Sequence, residues 1–159
     1  KVIAPTYTFA AVVNPILLLG ATTVLVDSDP DSVNMDLDAL ERKLHNNGDF
    51  KAVFHVDVGG VPPDYERLRE LSERYGFAVI EDGAEALGSE YAGRRVGALP
   101  HIVTLSFQAA KQLTSGEGGA VVLPNDDLYE KCRLLRHHGM SEQYEHTAFG
   151  LNFRLPGLL

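Results

Sequence analysis

The chain of 159 residues is long enough for one domain with a single sizeable core, and its 45% hydrophobic and 23% charged residues are ordinary for a soluble globular protein. Its net charge of −8 and pI near 5.1 argue against a nucleic-acid-binding protein, which needs clustered lysine and arginine. The single cysteine, Cys132, excludes an internal disulfide and fits a reducing cytoplasm, and no signal peptide or membrane-spanning apolar run is present.

Apolar strand-like segments and helical patterns alternate along the chain. Between Tyr65 and Tyr75, for example, apolar residues recur at i, i+3 and i+4, which is typical of a helix with one buried face. Pro15 falls inside the first helical pattern, where it should kink the helix or start it afresh after Asn14. The predicted elements in chain order are strand Lys1–Ala4, helix Thr8–Leu19, strand Thr22–Val26, helix Leu37–His45, strand Ala52–Val58, helix Tyr65–Tyr75, strands Phe77–Ile80, Ile102–Phe107 and Ala120–Leu123, and helix Leu128–His137.

Capping residues support these boundaries. An aspartate or asparagine directly before a helix can accept hydrogen bonds from its first turn, and a glycine after the helix can adopt the left-handed conformation that ends it. The predicted N-terminal caps are Asp36, Asp64 and Asn125-Asp126, and the predicted C-terminal glycines are Gly20, Gly76 and Gly139.

The alternation of helices and apolar strands predicts βαβ units, and hence one α/β domain with a mostly parallel sheet flanked by helices. In open sheets of this kind the chemistry lies at the carboxyl ends of the strands. We therefore expect polar residues at those ends to converge on one edge of the sheet. They are Asp27, Asp29, His55, Asp57, Glu81, Asp82 and Ser106.

One lysine, Lys111, lies in a Ser/Gly-rich turn between two predicted strands, in the segment SFQAAKQLTSGEGGAVV. A lysine in a turn is most often simply solvated. Near a carboxylate that ends a buried strand, however, a lysine can be catalytic, because burial or neighbouring charge favours the neutral amine that attacks a carbonyl carbon. The resulting Schiff base is most useful when the carbonyl belongs to pyridoxal phosphate, which acts as an electron sink.

Pyridoxal phosphate makes two further demands on a site. Its ring nitrogen needs a carboxylate, which Asp82 can supply, and its phosphate needs hydroxyl and N–H donors, of which Ser106 can supply one. Taken alone, Asp82 is as easily explained as a turn residue before Gly83, and Ser106 as the end of a strand.

Two long motifs carry a resemblance to a known family. The segment VIEDGAEALGSEYAGRRVGAL, followed by SFQAAKQLTSGEGGAVV, resembles the DegT/StrS-type sugar aminotransferases, which are pyridoxal-phosphate enzymes of the aspartate aminotransferase fold. The similarity extends to APTYTFAAVVNPILLLGATTVLVDSDPDSVNMD at the front and GLNFRL at the back. It therefore covers nearly the whole chain in order.

The resemblance implies roles for four residues around the cofactor. In the family the lysine of the S-F-x-x-x-K motif forms the internal aldimine, which implies Lys111, and the serine that opens the motif contacts the phosphate, which implies Ser106. The aspartate of the E-D motif pairs with the pyridine nitrogen, which implies Asp82. Three residues on, many members have glutamine near the ring hydroxyl, where this chain has Glu85.

Two further residues complete the implied site. The aromatic residue of the P-x-x-T-F motif stacks on the cofactor ring, which implies Phe9, with Tyr7 as the second choice. The asparagine of the G-x-N-x-R motif reaches the phosphate bound in the neighbouring subunit, which implies Asn152. The resemblance thus implies pyridoxal 5'-phosphate as the cofactor, no metal, and a homodimer with shared active sites.

The activity implied by the resemblance is transfer of an amino group, from glutamate in most of the family, to a keto sugar linked to a nucleotide. The implied location is the cytoplasm, without nucleic-acid or membrane partners. A related branch that dehydrates sugars carries histidine in place of the lysine, and Lys111 argues against that branch. Because family members run to more than twice this length, we expect residues 1–159 to be a cofactor-binding large domain that lacks an N-terminal segment and a C-terminal small domain.

Two alternatives to a complete enzyme stay open. The βαβ pattern also permits a nucleotide-binding module without covalent chemistry, although no G-x-G-x-x-G follows the first strand. The chain could also be an inactive fragment that only folds or associates. The adjacent His137 and His138 have no cysteine or acidic residue at ligand spacing, so we interpret them as cations at a helix C-terminus, and the remaining histidines show no cluster.

Overall fold

The computed structural model describes residues 1–155, apart from the side chain of Asn47, and places ten strands and four helices in this part of the chain. The helices are α1 (Ala10–Leu18), α2 (Leu37–Asn47), α3 (Tyr65–Tyr75) and α4 (Asp126–Arg136). The strands are β1 (Val2–Pro5), β2 (Thr23–Val26), β3 (Ala52–Val56), β4 (Ala78–Asp82), β5 (Glu90–Tyr91), β6 (Arg94–Arg95), β7 (Ile102–Ser106), β8 (Gly119–Val122), β9 (Met140–Glu142) and β10 (Glu145–His146).

The six longer strands form one sheet in the order β2-β1-β3-β4-β7-β8. Every neighbouring pair is parallel except β7 and β8, which are antiparallel. This confirms the predicted α/β architecture with a mostly parallel sheet. The hairpins β5–β6 and β9–β10 are absent from the sequence prediction, because strands of two or three residues are too short to show an alternating pattern.

The helices begin and end within two residues of their predicted boundaries. None of the helices within residues 1–155 is long and apolar enough to cross a membrane. The side chains of Asp36, Asp64 and Asn125 each accept at least one hydrogen bond from the backbone of the following turn. Helix α1 continues through Pro15 and does not restart after Asn14. The three glycines predicted at helix C-termini all have positive φ angles: Gly20, Gly76 and Gly139.

Alternate residues of the central strands build two cores on opposite faces of the sheet. On one side, called the α3 face, Ile3 and Val53 pack with residues of α2 and α3 such as Leu68. On the other side, called the α1 face, Ala4 packs with Val12 and its neighbours in α1. Strands β1 and β3 are therefore covered on both faces.

The strand register decides which polar side chains share a face at the carboxyl edge. Asp82, the last residue of β4, lies opposite Val56 of β3 and Thr104 of β7. One residue earlier, Glu81 lies opposite His55. Because successive side chains point to opposite faces, Asp82 belongs to the α1 face and Glu81 to the α3 face.

Candidate active site

A cleft of about 1130 Å³ opens on the α1 face at the carboxyl edge of the sheet. It is bounded by the start of α1, by the ends of β3, β4 and β7, and by the turn that joins β7 to β8. Five of the six residues singled out in the sequence line it: Phe9, Asp82, Glu85, Ser106 and Lys111.

Lys111 lies in the turn after β7, and its side chain is turned into the cleft. Its backbone N–H donates to the carbonyl oxygen of Gln108 at 2.9 Å, which fixes the turn. Its amine lies 3.4 Å from Oε1 of Glu85, and only 24% of the side chain is exposed. The reading of Lys111 as a solvated loop lysine therefore does not describe its environment.

Glu85 connects the lysine turn to the turn that follows β3. Its Oε1 faces the amine of Lys111, and its Oε2 accepts a hydrogen bond from the backbone N–H of Gly59 at 2.9 Å. The side-chain amide of Gln112 donates to the backbone carbonyl of Glu85. One side chain thus joins three segments at the edge of the sheet.

Asp82 presents a half-buried carboxyl group to the cleft. Its Oδ1 accepts a hydrogen bond from the backbone N–H of Ala84 at 3.1 Å. Burial raises the pKa of Asp82, and the Ala84 N–H and the positive charge of Lys111 act in the opposite direction. A cation in direct contact would offset the cost of burying this carboxylate, and the protonated ring nitrogen of pyridoxal phosphate is such a group.

Ser106 and Phe9 lie at other parts of the cleft wall. Ser106 ends β7, and its hydroxyl oxygen accepts the backbone N–H of Gln108 at 3.3 Å, so its O–H remains available as a donor. Phe9 is the residue before α1, and 79% of it is exposed. An amine, a half-buried carboxyl, a hydroxyl and an accessible aromatic ring are the groups that pyridoxal phosphate requires, so the residues present fit this cofactor.

Asn152 is placed elsewhere and does not line the cleft. It forms an isolated antiparallel bridge with His137, beyond the end of α4, and its Oδ1 accepts from the backbone N–H and the Nε of Arg154. Large exposed apolar side chains surround it in sequence: Phe149, Leu151, Phe153 and Leu155.

Comparison with known proteins assigns this chain to a family. A model of the DegT/DnrJ/EryC1/StrS aminotransferase family matches residues 1–158. The chain belongs to this aminotransferase family.

Relatives and solved structures within the aminotransferase family agree with this assignment. GDP-perosamine synthase from Escherichia coli O157:H7 is 40% identical over an alignment of 160 positions, which covers 99% of this chain and 43% of the relative. The crystal structure of DesV from S. venezuelae in complex with a ketimine intermediate superposes with a TM-score of 0.91 at 37% identity, covering 97% of this chain and 41% of DesV. PseC of Helicobacter pylori, an aminotransferase involved in the biosynthesis of pseudoaminic acid, superposes with a TM-score of 0.88 at 34% identity. This match covers 97% of this chain and 42% of PseC.

These comparisons confirm the aspartate aminotransferase fold for this chain. They also show how much of the relatives' length this chain covers. The chain spans less than half the length of the aminotransferases it matches.

The structure corrects one expectation about the acidic edge of this aminotransferase domain. His55, Asp57 and Glu81 are expected to converge with Asp82. Asp57 does border the cleft, but the side chains of all three residues are fully buried on the α3 face, where His55 and Asp57 contact Tyr65. The alternation of side chains in F-H-V-D-V and V-I-E-D already contains this information.

The structure also places His55 and His101, to which the sequence analysis gave no role, in one buried polar group with Asp57 and Glu81. Sequence reasoning also missed Thr104, whose hydroxyl donates to the backbone carbonyl of Glu81 at 3.2 Å. Its signal is its place on β7, two residues before Ser106 and therefore on the same face.

We expect Gly60→Ala to disturb the site more than Gly59→Ala in the full-length protein. Both glycines have positive φ angles, so each alanine adds backbone strain of about 1–2 kcal/mol. At Gly60, a Cβ would also lie 2.7 Å from the backbone carbonyl oxygen of Glu85, whereas at Gly59 it meets nothing within 4 Å. Urea unfolding and titration with pyridoxal phosphate should show larger losses of stability and cofactor affinity for Gly60→Ala. Equal effects of the two substitutions would contradict a close packing of this turn on Glu85.

Proposed function

We propose that the full-length protein is a pyridoxal-phosphate-dependent aminotransferase that moves an amino group from glutamate to the keto group of a nucleotide-linked sugar. The observation that carries this proposal is the convergence of the Lys111 amine and the half-buried Asp82 carboxyl in one cleft. Family membership and the names of the relatives, among them GDP-perosamine synthase, support the sugar as the amino acceptor.

Lys111 is proposed to hold the cofactor and to move protons. When bound, pyridoxal phosphate supplies an electron sink for the electron pair left on the donor's Cα after a proton departs. The Nζ of Lys111 would hold the cofactor, and as a free amine it would accept this proton and return it. The neighbouring Glu85 carboxylate holds the amine inside the cleft, where it can reach the substrate.

Asp82 is proposed to keep the cofactor ring cationic. Its carboxylate would accept the N–H of the ring, and its partial burial would strengthen this interaction because the surrounding dielectric is low. Thr104 and Val56, its neighbours across the sheet, fix the strand ends on both sides of it. The acid is thereby aimed into the cleft by backbone pairing.

The remaining predicted residues are proposed to bind and orient. All three line the cleft: the Ser106 hydroxyl would donate to the phosphate, the Phe9 ring would cover one face of the cofactor, and the Glu85 carboxyl would lie near the ring oxygen. Asn152 contributes its amide donors to the phosphate bound in a second copy of the chain. The exposed apolar side chains around Asn152 support a surface that another subunit covers, in a homodimer with shared sites.

The cytoplasm is the proposed location of this enzyme. The single cysteine is free, and the free thiol of Cys132 fits a reducing compartment.

Lys111→Ala tests the proposed cofactor bond. The full-length wild-type protein should develop a visible absorption band when pyridoxal phosphate is added, and the variant should not, because its Nζ is absent. Lys131→Ala, an exposed lysine on α4, is the matched control and should keep the band. A band of equal strength in Lys111→Ala would assign the cofactor to another lysine. No band in the wild type would favour a binding module without covalent chemistry.

Asp82→Asn should retain the fold and the cofactor but lose most turnover. The amide cannot stabilise a protonated ring nitrogen, and removing a charge-assisted hydrogen bond of about 1.5–3 kcal/mol lowers the rate at least roughly tenfold. Circular dichroism checks the fold, and single-turnover transamination with glutamate measures the rate. Near-wild-type transamination would remove Asp82 from its proposed role.

Shared sites can be tested by mixing two impaired variants of the full-length protein, Lys111→Ala and Asn152→Ala, at a cofactor concentration too low to saturate Asn152→Ala. Loss of Asn152 alone should weaken cofactor binding roughly ten- to hundredfold, since its hydrogen bond to a charged partner contributes about 1.5–3 kcal/mol. A mixed dimer contains one site with both lesions and one site with neither, so activity should return. The control is a mixture of Lys111→Ala with the double variant Lys111→Ala/Asn152→Ala, in which every site lacks the lysine. No recovery after demonstrated subunit exchange would place Asn152 outside the partner's site.

A further inference from the structure

Two carboxyl groups lie side by side behind the cleft, on the α3 face of the sheet. They belong to Asp57, directly after β3, and to Glu81 of β4, and both side chains have no exposed surface. We call them the buried carboxyl pair. Two ionised carboxylates in such a position would repel each other and lose their hydration, so the charge of the pair is a property the fold must control.

Each member of the pair has one oxygen bound and one oxygen without a donor. The hydroxyl of Tyr65 donates to Oδ1 of Asp57 at 2.8 Å, and Nε2 of His101 contacts Oε2 of Glu81. The other two oxygens, Oδ2 of Asp57 and Oε1 of Glu81, are buried and have no donor among the described residues. A carboxylate oxygen can only accept, so a proton on one of them supplies the donor that both lack.

We propose that Asp57 and Glu81 share one proton, and that Asp57 in this protonated form is a positioning residue for Asp82. The second half of the inference rests on the function proposed above for Asp82. Two hydrogen bonds to the backbone of β4 link the buried carboxyl pair to Asp82. The backbone N–H of Asp57 donates to the carbonyl of Asp82 at 3.1 Å, and the Thr104 hydroxyl donates to the carbonyl of Glu81. Repulsion within the pair would therefore act on the strand ends that aim Asp82.

The surrounding groups favour the protonated form of Asp57. Burial, followed by the negative charge of Glu81, raises the pKa of Asp57, while the hydroxyl of Tyr65 has the opposite effect and Asp82 adds a small increase. His55 lies 3.7 Å from Asp57, but burial and the nearby His101 lower its pKa to about 3, so it supplies no positive charge at neutral pH.

Tyr65 remains a donor at every pH of interest. Burial and the charge of Asp57 raise its pKa above its ordinary value. Among the described residues, His101 is the further group in contact with the pair; it faces Glu81 and is 13% exposed. The arrangement is thus one shared proton between two acids, a tyrosine donor at one end and a histidine at the other.

The sign of the resulting pH dependence follows from linkage. Because Asp57 binds its proton more tightly in the folded state, its contribution to stability is complete below the ordinary carboxyl pKa of about 3.9 and is lost as pH rises through the raised pKa. Asp57→Asn keeps a neutral side chain of the same shape and removes the titration. The stability of Asp57→Asn relative to wild type should therefore increase with pH over this window.

The protonation is tested on the full-length protein without cofactor. Infrared difference spectroscopy of wild type against Asp57→Asn at neutral pH should show the carbonyl stretch of a protonated carboxylic acid, and urea midpoints should diverge as pH rises. Asp31→Asn, at an exposed position, is the matched control and should show neither change. Only ionised carboxylate bands, together with a pH-independent difference in urea midpoint, would overturn the shared proton.

The positioning role is tested by cofactor affinity as a function of pH. Wild type should lose affinity for pyridoxal phosphate as pH rises through the raised pKa of Asp57, and Asp57→Asn should keep the affinity it has at low pH. Asp57→Ala, which lacks the bond to Tyr65, should bind roughly tenfold more weakly. Identical pH profiles for wild type and Asp57→Asn would overturn the positioning role. If wild type binds no cofactor at any pH, the function proposed for Asp82 fails and the positioning role fails with it, while the infrared result still decides the shared proton.

Discussion

Neighbouring residues of a strand point to opposite faces of a sheet, and this constraint sorts the chemistry of the domain at the end of β4. Asp82 is directed into the cleft, and Glu81, one residue earlier, is directed into the core beneath α3. The two acids are consecutive in sequence but belong to different environments. Asp82 meets Lys111 and Ser106 because β4 and β7 are adjacent and parallel, so that their carboxyl ends share an edge.

Among the residues that the structure describes, the cleft is poor in positive charge. Among the described residues that line the cleft, Lys111 is the one cation, and it faces the carboxyl groups of Asp82 and Glu85. A phosphate dianion placed here would have the Ser106 hydroxyl and backbone N–H groups as donors, with no arginine beside it among these residues. The dimer proposed above would add the amide of Asn152 to these donors.

The sequence was sufficient for the architecture because local signals agreed with one another. Caps such as Asp36 and Asp64 and the helical stripe of α3 mark the helices, and the apolar runs between them mark the strands. Motif resemblance indicated the residues of the cleft, whereas periodicity could not have distinguished Lys111 from a solvated lysine. The buried polar group was missed because its members come from separate segments. His101 precedes β7 and Tyr65 starts α3, and only the packing of the folded chain brings them to Glu81 and Asp57.

The antiparallel pairing of β7 with β8 has a consequence for how the lysine turn moves. A parallel neighbour would need a long crossover, but here Ser106 and Gly119 are paired directly, and the backbone of Phe107 bonds to Gly118 and to Ser115. The turn is thus closed at its base by the sheet itself. A displacement of the whole turn, and with it of Lys111, therefore requires these hydrogen bonds at the edge of the sheet to open.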